Sequence, residues 1–176
     1  LVLVHGWMDV GASYQFMVDA LSADFADRRL IIAPDWRGFG QTTLAAPCDH
    51  YVFADYLGDL DALIDHYAPD GQPVDLLGHS MGGNVVMLYA GVRPTRIRRL
   101  VNLEGFGMPA SRPAQAPRRL TQWLDELKQL RQGEISLKTY PDADAVARRL
   151  TKTNPRLPAD KAAWLARQWA RPGAAG

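Results

Sequence analysis

The sequence predicts an α/β fold built on a parallel, doubly wound sheet, and three observations carry that prediction. First, strand-length apolar runs at residues 1–4, 30–33 and 74–77 and a further strand pattern at Ile97–Leu103 alternate with stretches whose apolar residues recur at helical spacing. Second, the runs at 1–4 and 30–33 are apolar without interruption, as strands covered on both faces are. Third, every run ends in a polar or glycine-rich corner: His5-Gly6-Trp7, Asp35 to Gly40, Gly78 to Gly83, and Glu104 to Gly107. Right-handed crossovers place all these corners at one edge of the sheet, where ligands bind in open α/β sheets.

Taken in order, residues 1–4 form a buried strand that opens into His5-Gly6-Trp7, and Gly6 leaves the Trp7 amide free to turn toward an oxygen at that edge. Phe16, Met17, Ala20 and Leu21 predict a helix over residues 13–25 with Ser13 as its N-cap. The strand at 30–33 stops at Pro34, and the loop Asp35-Trp36-Arg37-Gly38-Phe39-Gly40 follows, with Asp35 and Arg37 expected to pair. Gly38-x-Gly40 is too short for a dinucleotide fingerprint. Between Tyr51 and Tyr67, Val52, Tyr56, Leu57, Leu60, Leu63 and Ile64 make an apolar stripe, while Asp55, Asp59, Asp61 and Asp65 fill much of the remainder. That is an amphipathic helix with a core-packing face. Pro69-Asp70-Gly71 turns the chain into the strand at 74–77. A helix over 84–90 breaks at 91–94, and the strand Ile97–Leu103 ends at Glu104. Beyond Met108 the texture changes to a Pro/Ala/Arg linker and helices near 118–132, 142–151 and 159–170, broken at Asn154-Pro155 and Leu157-Pro158. The chain therefore divides into a core at 1–108 and a helical region at 109–176.

The corner Gly78-His79-Ser80-Met81-Gly82-Gly83 organises the rest. A strand before it, a helix after it and the spacing Gly78-x-Ser80-x-Gly82 fit a nucleophile elbow, which lifts a strained serine clear of the sheet. The glycines two before and two after the serine come so close that side chains there would collide. At the helix N-terminus the Met81 amide is free to stabilise an oxyanion beside Ser80.

Composition narrows the rest. The chain has 176 residues, 47% of them hydrophobic, enough for one domain with a core. The net charge is +1, but residues 1–110 hold 7 Lys+Arg against 13 Asp+Glu, and 111–176 hold 13 against 6. The basic residues of the second half are interspersed at helical spacing, so they read as solvated helix faces and not as a nucleic-acid surface. The apolar runs are of strand length, so no membrane partner is implied and a cytoplasmic location is favoured. The chain opens on Leu1 inside a strand, which suggests a missing true N-terminus. The single cysteine, Cys48, allows no internal disulfide and no metal spacing, and no cofactor is implied. Trp123, Trp164 and Trp169 are expected to pack helices, and Trp7 and Trp36 to form walls of a site.

Leu1-Val2-Leu3-Val4-His5-Gly6-Trp7, Ala33-Pro34-Asp35-Trp36-Arg37-Gly38-Phe39-Gly40 and Gly78-His79-Ser80-Met81-Gly82-Gly83 resemble, in order, the third-strand, fourth-strand and elbow motifs of the α/β-hydrolase superfamily. The resemblance implies an eight-stranded sheet of which this chain holds strands three to six, with part of a helical cap beyond residue 108. It implies Ser80 as nucleophile and the Trp7 and Met81 amides as oxyanion donors. A serine in place of the aspartate of haloalkane dehalogenases and epoxide hydrolases implies acyl transfer on a small ester-like substrate. Leu103-Glu104-Gly105-Phe106-Gly107 resembles the stretch of haloalkane dehalogenases that carries the catalytic acid, making Glu104 a candidate; many relatives instead carry an Asp after a later strand. The family's base histidine follows the last strand, and no histidine follows His79 here, so the base is expected beyond Gly176. A hydrolase-like protein that binds a small apolar ligand without catalysis is the alternative.

Overall fold

The computed structural model describes residues 1–46, 48, 50–107, 110–136 and 138–171. Three parallel strands form the sheet, β1 (Val2–Val4), β2 (Val74–His79) and β3 (Ile97–Leu103), in the order β1-β2-β3. The register pairs Val4 with Gly78 and His79 with Leu103. All three strands therefore end at one edge.

On one side of this sheet lie α3 (Phe53–Tyr67) and α4 (Met81–Val92). Tyr56, Leu60 and Ile64 of α3 and Val85, Val86 and Tyr89 of α4 close over Val2, Val4 and Leu76, with Trp36 completing the cluster. Leu60, Ile64, Val85 and Val86 are fully buried, and each side chain of this size contributes about 1.5–3 kcal/mol on leaving water. The Tyr89 hydroxyl donates to Asp61 at 2.9 Å, so the two helices are also joined by a polar contact.

Between β1 and α3 run a 3-10 turn (Gly11–Tyr14) and two short helices, α1 (Gln15–Asp19) and α2 (Ala23–Ala26). After β3 come α5 (Ala116–Arg131), α6 (Ala143–Thr153) and α7 (Ala159–Trp169). The α6 N-terminus is capped by Asp142, which accepts from the Ala145 amide at 2.7 Å. Helix α7 returns to the core. Trp164 meets Phe16 edge-on at 5.2 Å and the Trp169 indole donates to the Ser13 hydroxyl at 3.0 Å, as packing roles for these tryptophans require. Helix α5 has no buried residue.

Four expectations need correction. The strand at 30–33 is reduced to one bridge, Ile32 beside Val2, because β1 itself spans only three residues and Pro34 carries no amide hydrogen. The helix at 13–25 is split, since Ser22 caps a new helix by accepting from the Phe25 amide; Ser13 lies inside the 3-10 turn, its hydroxyl donating to Asp9. Arg37 does not pair with Asp35: its guanidinium grips Asp59 of α3 at 2.6 and 2.5 Å, where a fork of donors meets both carboxylate oxygens. Trp36 is buried core and not a wall residue. The division expected at residue 108 lies outside the described residues.

Candidate active site

Ile32 lies on one side of β1 and β2 on the other, so the chain reverses its direction of winding at β1. Such a reversal leaves a crevice beyond the strand ends. Buried polar contacts fix its floor. His5 Nδ1 donates to the Gly6 carbonyl at 2.8 Å, its Nε2 accepts from the Trp36 amide at 2.9 Å, and the Trp36 indole donates to the His5 carbonyl at 3.0 Å. With both ring nitrogens used, His5 is a neutral brace between two loops, and burial lowers its pKa. Tyr14 donates to the Val4 carbonyl at 2.8 Å, and burial raises the phenol's pKa. Asp35 accepts from the Gly11 and Gln41 amides, both at 2.7 Å, and is structural.

Ser80 sits at φ 52°, ψ −114°, between β2 and the first turn of α4. A non-glycine residue in that region carries about 1–3 kcal/mol of strain and persists only where its surroundings impose it. They do so here through contacts on both sides. The Ser80 amide donates to the Leu103 carbonyl at 2.7 Å, and its carbonyl accepts from the Asn84 amide at 3.1 Å. A side chain on Gly78 would strike the Gly82 carbonyl, and one on Gly82 would strike the Val4 carbonyl. Among the described residues, the non-glycine residues with positive φ are Met8, Ser80 and Glu104. Each follows the C-terminal end of a different strand, so backbone strain is concentrated on one edge.

Met81 is the first residue of α4, where an amide has no acceptor within its own helix. Gly6 lies against the serine: a Cβ there would be 3.1 Å from the Ser80 Cβ. Trp7 follows, about two-thirds exposed, with its ring edge-on to Phe39 at 5.3 Å. Glu104 is exposed, and its Oε2 lies 3.9 Å from His79 Nε2. The structure thus brings Trp7, Ser80, Met81 and Glu104 to the same edge. His66 is on α3, edge-on to Tyr67, and His50 is edge-on to Trp123.

Two asparagines that sequence reasoning did not single out hold the loop after β3. Asn102 donates to the Gly105 carbonyl at 2.7 Å and accepts from its amide at 2.8 Å; Asn84 accepts from the Gly107 amide at 2.7 Å. The available signal was an asparagine three residues before a glycine, a spacing suited to side-chain closure of a turn. Among the described residues no group of three or more His, Cys, Asp or Glu is placed to hold a metal ion, and no helix is long and apolar enough to cross a membrane.

Comparison with known proteins agrees with this fold. A family model for the alpha/beta hydrolase fold matches residues 1–171. A probable serine hydrolase of Drosophila melanogaster is 29% identical over 108 residues, 61% of this chain and 31% of that protein. Epoxide hydrolase 2 of Siraitia grosvenorii is 33% identical over 103 residues, 58% of this chain and 31% of that protein. The solved thioesterase domain from the curacin biosynthetic pathway superposes with a TM-score of 0.79 at 27% identity, covering 99% of this chain and 58% of that structure. The matches thus span about a third of the length of these two curated relatives.

Proposed function

The chain belongs to the alpha/beta hydrolase fold family, and from that premise we propose that it carries the nucleophile and oxyanion hole of a serine hydrolase acting on an ester or related acyl compound. The strained Ser80 carries this reading. Its Oγ attacks the acyl carbonyl while a base takes the hydroxyl proton. The Trp7 and Met81 amides receive the charge that develops on the carbonyl oxygen. Collapse of the tetrahedral intermediate breaks the bond to the leaving alcohol, which takes up the proton, and water then releases the acid from the acyl-enzyme. Glu104 is the candidate for the carboxylate that orients the base. Matches to proteins named serine hydrolase and thioesterase domain support acyl transfer. Matches to epoxide hydrolases support the hydrolase class, although position 80 here holds serine and no carboxylate.

The base is a histidine supplied from outside these 176 residues. His5 has both nitrogens engaged, His79 ends β2 as the chain neighbour of Ser80 and is too close along the elbow to face it, and neither His50 nor His66 lies at the strand ends. On this reading the 176 residues alone lack the base and turn over esters poorly. The second reading, a small-ligand binding protein with no catalysis, is favoured by the same four histidines. Kinetics on 4-nitrophenyl esters distinguish the two. In the native protein, Ser80→Ala lowers kcat by about 10⁴-fold or more. Unchanged turnover in that variant contradicts the nucleophile assignment.

A further inference from the structure

Phe106 is nine-tenths exposed, the extreme among the large apolar side chains described. Such a residue on a slack loop would mean little. This loop is not slack: Gly105 is held at both its amide and its carbonyl by Asn102, and Gly107 is held by Asn84 of the elbow helix. Gly105 also backs onto Gly83, where a Cβ would lie 2.9 Å from the Gly105 Cα. The backbone on either side of Phe106 is thus fastened, to β3 before it and to the helix after Ser80 behind it, with an apolar ring displayed to solvent. Burying such a ring is favourable and requires little further ordering.

A second exposed apolar group follows the other neighbouring strand. Trp7 and Met8, each about two-thirds exposed, follow β1, and Phe106 follows β3. Because β1 and β3 flank β2, the two loops stand on opposite sides of Ser80, two strand spacings or about 10 Å apart. Glu104, the residue after β3, puts an exposed carboxylate on the same edge, which would repel an anionic substrate group. Apolar side chains on the two strands flanking β2, with a carboxylate on the same edge, suit an uncharged hydrocarbon chain.

We propose that Phe106 and Trp7 grip the apolar acyl chain of the substrate, making this a site for medium-chain or aryl acyl esters over short or anionic ones. The inference rests on Ser80 acting in acyl transfer. Its test uses the native protein and two 4-nitrophenyl esters, the acetate and the hexanoate. The native protein prefers hexanoate, and Phe106→Ala lowers the hexanoate-to-acetate ratio of kcat/KM by about tenfold, with Phe106→Leu restoring much of it. An unchanged ratio in Phe106→Ala overturns the proposal and leaves Phe106 as a packing surface for another part of the protein. Calorimetric binding of the unreactive analogues N-phenylhexanamide and N-phenylacetamide separates this from the hydrolase reading. If no ester is turned over but the hexanamide binds better and Phe106→Ala removes that preference, the grip stands and the hydrolase reading fails. If the hexanamide binds no better, or its preference survives Phe106→Ala, the grip is wrong whatever the esterase assay gives.

Discussion

The strand-and-helix core before Met108 and helix α5 after it use their apolar residues in opposite ways. In the core, Leu60, Ile64, Val85 and Val86 are sealed between two helices and the sheet. In α5, Leu120, Trp123, Leu124 and Leu130 are all exposed, and the helix buries nothing. Both regions have amphipathic sequences, so periodicity alone does not say whether an apolar face finds a partner. The difference teaches where rigidity is available. Only the first region can hold a strained serine, since strain persists where packed surroundings impose it.

Substitutions that empty the core set the scale of this contrast. Leu60→Ala should destabilise the protein by about 2–5 kcal/mol, whereas Leu124→Ala on α5 should change stability by about 0.5 kcal/mol or less; urea unfolding measures both. Comparable losses would mean that the α5 face is packed in the native protein. Gly82→Ala comes next. Its methyl would strike the Val4 carbonyl, so a loss of about 1–3 kcal/mol is expected, accompanied by a fall in turnover as the elbow shifts. A turnover that survives that clash would separate the corner's geometry from its chemistry.

Acid should act on the core brace and not on the outer helices. The His5 pKa is held below its usual 6.5 by burial, so the folded protein resists protonation that the unfolded chain accepts. Its contribution to stability is full above 6.5 and is lost as pH falls through the lowered folded value. Thermal unfolding across that window checks this, and His5→Gln should flatten the dependence. A modest effect belongs to the ion pair between the Asp35–Gly40 loop and α3. With Arg37 and Asp59 side chains about 27% and 30% exposed, Asp59→Asn should cost about 1 kcal/mol, diminished by salt.

The strands β1, β2 and β3, the elbow and the three later helices were legible because each is announced by local signals: a short, largely apolar run, a glycine bracket, or a helical stripe. What was not legible depends on pairing across the chain. Nothing near Arg37 says that its partner is Asp59 and not Asp35, although Asp55 and Asp59 one turn apart on a helix form a ready receptor for a cation. His5 reads as motif, and its use of both ring nitrogens emerges only when Trp36 is folded against it. The apolar spacing at Phe16, Met17, Ala20 and Leu21 runs unbroken up to Ser22 and hides the stop of α1 at Asp19 and the new start that the Ser22 capping bond gives α2. For the site, the edge of the sheet and the serine were legible from the strand-turn-helix order. The anchoring of Gly105 and Gly107 by Asn102 and Asn84 was not, since it closes across separate elements.

The most direct test of the central claim is covalent labelling of the native protein with a fluorophosphonate, followed by mass mapping of the peptide that contains Ser80. The account predicts a stoichiometric adduct on Ser80 that disappears in Ser80→Ala. A native protein that is folded yet unlabelled, or a label that persists in Ser80→Ala, would contradict it.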